Sequence, residues 1–355
     1  MLNRAVTVLT DRLDRSHELV EVAKMVADCR VVGLDVSWSQ EHCAGVIADV
    51  TLSRPQTKSC LRALAASRRG KPPLPVIFLT RGNDQSLLRE AQSLGATACM
   101  PAYSDPKSVV NALVHQISPG KTIADIIVTR EVARTGSVMT ALFKGAERGA
   151  VAMETVERGI DPVLTAIKEG GLARWLDDVW AHDDVTFQHC LLVSGLTATF
   201  ACNLGLSKAD QRLLTRAALV HDVGKSKIPL EILNKPGKLE DDERAVMQTH
   251  APLGYDILAA SGDCDPVTLA VARHHHELLD GSGYPDSLSG NAISDPIRLL
   301  TICDIYAALI ERRPYKKPLS STEAMHILES MRGKIEQSLV VAFGDAVVSH
   351  ERLVA

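Results

Sequence analysis

The sequence predicts two folds in tandem, a doubly wound parallel α/β sheet followed by an all-α bundle. Three observations carry this. Short apolar runs of strand length alternate with helix-periodic stretches from Ala5 to about Gln116, every periodic segment after that is helical, and 355 residues suffice for two cores. The predicted boundaries are 1–118 for the sheet domain, 119–176 for a helical linker and 177–355 for the bundle.

In the first part, "AVTVL", "RVVGL", "GVIADV" and "PVIFLT" have strand length and β-branched content. "GATACMPA" supplies a fifth strand, and "SHELVEVAKMVADC", "KSCLRALAAS" and "SLLREAQSLG" have helix periodicity between the strands. A reacting group in such a sheet sits at the carboxyl ends of the strands, where Asp11, Asp49 and Thr80 fall. This part resembles a response-regulator receiver domain. The resemblance implies acidic residues after the first strand that hold a divalent ion, an aspartate after the third that accepts a phosphoryl group, and a lysine after the fifth that contacts it. Asp49 is then the candidate phosphoacceptor. The match is partial, because Met100 stands where the lysine belongs and "LTDR" offers one acidic residue where two are usual. A receiver-shaped scaffold without phosphotransfer is expected.

Composition excludes several classes. With 39 Lys+Arg against 43 Asp+Glu the formal net charge is -4, which argues against a polybasic DNA or membrane binder. No apolar run approaches the ~20 residues that span a bilayer, and the N-terminus lacks the blocks of a signal peptide, so a cytoplasmic protein is expected. The eight cysteines form no C-x-x-C pair and read as reduced core thiols.

In the linker, "TIADIIVTREVA", "VMTALFKGAERGAVAMETVERGI" and "DPVLTAIKEGGLARWLDDVW" read as helices, their apolar stripes serving a core or the seam of a homodimer. The bundle is more informative. His189, Val193, Leu196 and Phe200 share one stripe, so His189 points inward. "QRLLTRAALVHDVGK" runs a helix directly into His221 and Asp222, with Gly224 placed to end it. His250 closes "DDERAVMQTH", and Asp265-Pro266 opens the helix that carries "TLAVARHHHE". Asp295-Pro296 opens "IRLLTICDIYAALIERR", which puts Asp304 on an apolar face with Ile297, Leu300 and Ala308.

An unpaired carboxylate on such a face would cost several kcal/mol, so a partner or a metal must neutralise it. His189, His221, Asp222, His250, His275, His276 and Asp304 all fall at helix ends or on inward stripes, and imidazole with carboxylate is the ligand mix for Mn, Fe or Zn. Seven ligands exceed the need of one ion. The arithmetic favours two, a pair that can activate a water and stabilise both oxygens of a phosphoryl transfer.

"HDVGK" at 221–225 and "HHELLDGSGYP" from His275 to Pro285 are similar to the signatures of the HD-GYP family of phosphohydrolases; "IPLEILNKPGKL" and "RRPYK" also resemble it in order and spacing, over roughly Asp177 to Lys317. The resemblance implies an all-helical, metal-dependent phosphodiesterase that hydrolyses cyclic di-GMP through a linear dinucleotide to GMP. It implies metals on the same seven residues, two divalent ions per chain, with iron or manganese ahead of zinc. Asp222 and Lys225 are then catalytic, Lys225 contacts the scissile phosphate, and Arg313 and Lys316 clamp phosphate oxygens. Tyr284 and Pro285 shape a lip that meets a guanine or a partner protein. His274, the extra member of the triplet, reads as a solvated helix-end residue. Ala307 stands where the family usually has a second Asp, and Val185 occupies a position that is Glu in members with three metals. Two other readings stand beside this one: a catalytically slow receptor that signals through protein partners, and a hydrolase of another cyclic or linear dinucleotide. Base specificity, metal identity and end product stay open at this level.

Overall fold

The computed structural model describes residues 4–12, 16–34, 42–67, 74–82, 84–181, 185–312 and 318–351, with 185, 186 and 348–351 described by backbone alone. The chain divides into two compact units, Met1–Arg130 and Glu131–Ala355.

The first unit runs β1 (Ala5–Thr10), α1 (His17–Val26), β2 (Cys29–Val32), β3 (Cys43–Asp49), α2 (Pro55–Ser67), β4 (Val76–Thr80), α3 (Gln85–Ser93), β5 (Ala98–Pro101) and α4 (Pro106–Ile117). All strand pairs are parallel, in the order β2-β1-β3-β4-β5. A parallel sheet covered on both faces needs near-continuous apolar strands, and β1 and β4 are buried along their whole length. Helices α1 and α4 pack on Val6, Val8, Ile47 and Ile77 on one face, while α2 and α3 pack on Leu9, Val46, Ala48 and Phe78 on the other. This is the doubly wound sheet the sequence predicts. Helix α4 is not among the predicted helices, although Asp105-Pro106 marks its start: the Asp105 side chain accepts from the Ser108 amide.

The boundary between the units falls within α5 (Ile123–Glu147). The second unit continues with α6 (Met153–Trp180), α7 (Val185–Asn203), α8 (Lys208–Val220), a 3-10 turn (Val223–Lys227), α9 (Leu230–Leu233), α10 (Asp241–Gln248), α11 (His250–Ala259), α12 (Pro266–His274), a second 3-10 turn (Gly290–Ala292), α13 (Asp295–Ile310), α14 (Ser321–Ser330) and α15 (Gln337–Glu351). Two linker boundaries differ from expectation. The stretch 138–160 is broken at 148–152, because Gly149 takes a φ of 90° and the chain reverses with Ala150 N donating to Gly145 O. Pro162, expected to open a helix, lies inside α6, where buried Val156, Ile160, Val163 and Ile167 carry the stripe past it, and the kink in α6 falls instead at Gly171, with φ 80° and ψ 168°.

Helix α7 is buried along almost all its described length and packs against α6, α8, α13 and α15. Its approach to α6 depends on Gly195, where a Cβ would lie 2.2 Å from Trp175 Nε1. That indole donates to Leu191 O at 2.9 Å. All eight cysteines are free, and Cys202 is exposed, so it departs from the expected core thiols. Among the described residues no helix is long and apolar enough to cross a membrane.

Candidate metal centre

Three helix ends and two helix interiors converge in the second unit. His189 comes from α7 and Asp304 from α13, while His221 and Asp222 follow the last residue of α8. His250 opens α11 rather than closing α10: Gln248 ends one helix, His250 starts the next, and Pro252 falls in the first turn, where a missing N–H costs nothing. His275 caps α12 and His276 follows. Gly224 does not end α8 either. The helix stops at His221, and Gly224 sits in the 3-10 turn, where a Cβ would lie 1.9 Å from His250 O. The glycine is what lets the "HDVGK" turn press against the start of α11. On α13, Ala307 is buried and Ala308 exposed, so the inward stripe lies one residue earlier than expected, with Asp304 still inside it.

The side chains form two adjoining groups, Asp222 with His250, His275 and His276, and His189 with His221 and Asp304; the ligand atoms in each group lie within 4.8 Å of one another. Asp222, 1% exposed, faces both. Its Oδ1 is 3.2 Å from His250 Nε2 and 3.7 Å from His275 Nε2, and its Oδ2 is 3.4 Å from His221 Nε2 and 3.7 Å from His189 Nε2. His189 Nε2 lies 2.8 Å from Asp304 Oδ1, and His276 Nδ1 lies 3.5 Å from Asp304 Oδ2.

These groups fit a metal. The Nδ1 atoms of His221 and His250 contact Ala218 O and Met247 O at 2.7 Å, and His275 Nδ1 contacts Val271 O and Ala272 O at 3.1 Å. A proton placed on Nδ1 to make those bonds leaves Nε2, which faces the cluster, as the lone-pair donor a cation needs. His221 Nε2 and Asp222 Oδ1 are buried without a well-formed hydrogen bond.

The electrostatics follow from burial against close charge. Burial works to raise the Asp222 and Asp304 pKa values, but Lys225 and His221 beside the first, and His189 and His221 beside the second, hold both well below the usual carboxylate range. Burial disfavours charge on His221, yet Asp222 and Asp304 outweigh it and raise its pKa to about 10, so a cation that takes the Nε2 lone pair must displace a proton there. In His275 and His276 burial prevails and the pKa values fall, which favours the neutral, ligating form.

Lys225 Nζ donates to Asp222 Oδ2 and is partly exposed at the rim. The Tyr284 ring lies 4.7 Å from that of His276 and 6.3 Å from that of His250. Arg313 and Lys316 lie outside the described residues, and so does the side chain of Val185. In the first unit, Asp49 at the end of β3 pairs with Arg81 at 2.5 Å, and Asp11 accepts from Thr51 N and pairs with Arg54.

Three carboxylates near the cluster carry roles the sequence did not reveal. Glu311, 1% exposed, puts Oε2 4.0 Å from His189 Nδ1; its spacing of seven from Asp304 is the signal that could have found it. Glu277 is buried and accepts from the amides of Asp286 and Leu288. Asp286 pairs with Arg273 and with His274, so His274 is tied down rather than solvated.

In this helical unit the cluster offers imidazole and carboxylate donors for divalent ions. Residues 172–339 match the family model described as HD domain. The chain is 29% identical over 263 residues to "Cyclic di-GMP phosphodiesterase response regulator RpfG" of Xanthomonas campestris pv. campestris, covering 74% of this chain and 64% of the relative. It is 42% identical over 149 residues to "3'3'-cGAMP-specific phosphodiesterase 1" of Vibrio cholerae, covering 42% of this chain and 34% of the relative. The chain thus spans between about a third and two thirds of these curated relatives. A solved structure described as Bd1817, a HDG"Y"P protein from Bdellovibrio bacteriovorus, shares the fold with a TM-score of 0.52 at 17% identity, over 74% of this chain and 81% of that one.

Proposed function

We propose that this chain is a metal-dependent phosphodiesterase that opens cyclic di-GMP to the linear dinucleotide and carries it on to GMP. The observation that supports this most is Asp222, whose two oxygens face two adjoining ligand groups. Two ions per chain suit seven ligands, and iron or manganese is proposed although imidazole with carboxylate accepts zinc as well. When bound, such a pair supplies an activated water and stabilises the attacking and leaving oxygens of a phosphodiester. The chain's own residues do the rest. Backbone carbonyls fix the tautomers of His221, His250 and His275, and buried helices hold His189 and Asp304 without freedom to swing. Lys225 at the rim meets the scissile phosphate, Arg313 and Lys316 take further phosphate oxygens, and Tyr284 bounds the entry.

The receiver-like unit and the 283–285 loop are the surfaces proposed for signalling partners, whereas the apolar stripes of α5 and α6 are buried within the chain itself and serve its core rather than a homodimer seam. Eight free cysteines suit a reducing, cytoplasmic setting. The 42% identity to a 3'3'-cGAMP-specific phosphodiesterase supports a second reading, in which the hybrid dinucleotide is the substrate. Incubating metal-reconstituted protein with each cyclic dinucleotide, and separating the products by chromatography, tests both. Linear dinucleotide and GMP from cyclic di-GMP are expected. Turnover of 3'3'-cGAMP alone would select the second reading, and binding without turnover of either would make the protein a receptor.

A further inference from the structure

The segment that follows the ligand pair His275 and His276 is held to α12 from both sides. Glu277, 2% exposed, projects into the loop it precedes, where Oε1 accepts from Asp286 N at 2.7 Å and Oε2 from Leu288 N at 3.0 Å. Both oxygens are thereby satisfied by fixed backbone donors, which offsets the cost of burying the charge. In the opposite direction, the Asp286 carboxylate reaches back to α12: Arg273 donates to it through Nε at 2.7 Å and Nη2 at 2.9 Å, and His274 Nε2 lies 2.8 Å away. Arg273 is itself braced over the Tyr255 ring of α11.

The loop base is closed by the Asp280–Ser289 bridge. Its inner wall has no slack, since a Cβ on Gly283 would lie 2.5 Å from Glu277 Cα and 2.6 Å from His276 O. Between these ties sits Tyr284, with its amide 3.3 Å from His276 O and its ring tilted 30° against the His276 imidazole.

We propose that Glu277 and Asp286 are positioning residues that form a reciprocal clasp, fixing the 283–288 loop so that Tyr284 stands as a rigid wall over the metal-ligand imidazoles and bounds the place where the nucleotide enters. Neither carboxylate touches substrate. Each acts through Tyr284. The proposal rests on the phosphodiesterase reading for its kinetic consequence, but not for its structural one.

Two variants of the full, metal-loaded chain test it. Glu277→Gln keeps the size but presents an NH2 group to one of two N–H donors, and Asp286→Asn, at a partly exposed site, removes the charge that Arg273 grips. Amide exchange at Asp286 and Leu288 should quicken by about tenfold or more in Glu277→Gln, the loss of one charge-assisted bond. Metal content should stay at the wild-type value in both variants. With cyclic di-GMP, KM should rise about fivefold or more while kcat moves less than about twofold, the signature of lost substrate positioning. In a Tyr284→Ala background neither substitution should raise KM further, because the clasp works through that ring.

Unchanged exchange in Glu277→Gln, or KM effects that add to that of Tyr284→Ala, would overturn the clasp. If Glu277→Gln fails to fold, Asp286→Asn decides through the same double-mutant comparison. If the wild-type chain hydrolyses no cyclic dinucleotide, the functional reading falls, and the exchange rates still decide whether the clasp exists.

Discussion

Asp222 is the residue on which the two ligand groups meet, so its loss should be felt by both. Asp222→Asn keeps the shape and removes the charge. Bound metal is expected to fall to less than about half, and hydrolysis by a factor of about a thousand or more, with far-UV circular dichroism unchanged because buried apolar residues, not this carboxylate, hold the helices. Normal turnover in this variant would show that the centre lies elsewhere. At this scale the seven residues that the structure brings together were legible because each is a His or Asp at a helix end or on an inward apolar stripe. Glu277 and Asp286 were not legible in their roles, since their partners include backbone amides and a cation 13 residues away, which leave no mark in a pattern of side-chain types. Glu311 falls between these cases: its spacing from Asp304 was visible, its burial against His189 was not.

Gly224 shows how the turns between helices, more than the helices, set the centre. Gly224→Ala would drive a methyl into His250 O and Gly254 N, both backbone, so α11 must move and take His250 with it. A destabilisation of about 3 kcal/mol is expected, a Tm lower by roughly 6–12 °C, together with loss of metal; a calorimetric scan beside elemental analysis would check this. Sequence pattern assigned this glycine to a helix end because it follows an apolar run, and the close approach that requires it is a tertiary fact. The same holds at the strand ends of the first unit. β-branched runs announced the sheet, but nothing in the pattern announced that Arg81 would close on Asp49 and Arg54 on Asp11. Burial works to raise the Asp11 pKa, and Thr51, Arg54 and Arg81 together hold it below the ordinary value. With guanidinium groups on both carboxylates and Met100 in β5, acetyl phosphate with Mg2+ should leave Asp49 unlabelled by mass spectrometry. Stoichiometric phosphorylation there would contradict this.

At the scale of the whole chain, two architectures in tandem were legible from the change of period near residue 117, because strand and helix repeats differ and a parallel sheet must be apolar on both faces. The course of α5 and α6 was not: a glycine in the left-handed region breaks one predicted helix, and a proline fails to break another, and both outcomes depend on what the helices pack against. If one cluster in the second unit holds a pair of ions and hydrolyses a cyclic dinucleotide, bound metal and turnover must rise together. The most direct test is to strip the protein with chelator, add Fe2+ or Mn2+ in steps, and measure bound metal and the initial rate of cyclic di-GMP hydrolysis on the same samples. No turnover is expected without metal, and the rate should rise until about two ions are bound per chain, then level. Hydrolysis by the stripped protein, or a rate that saturates at one ion, would contradict this.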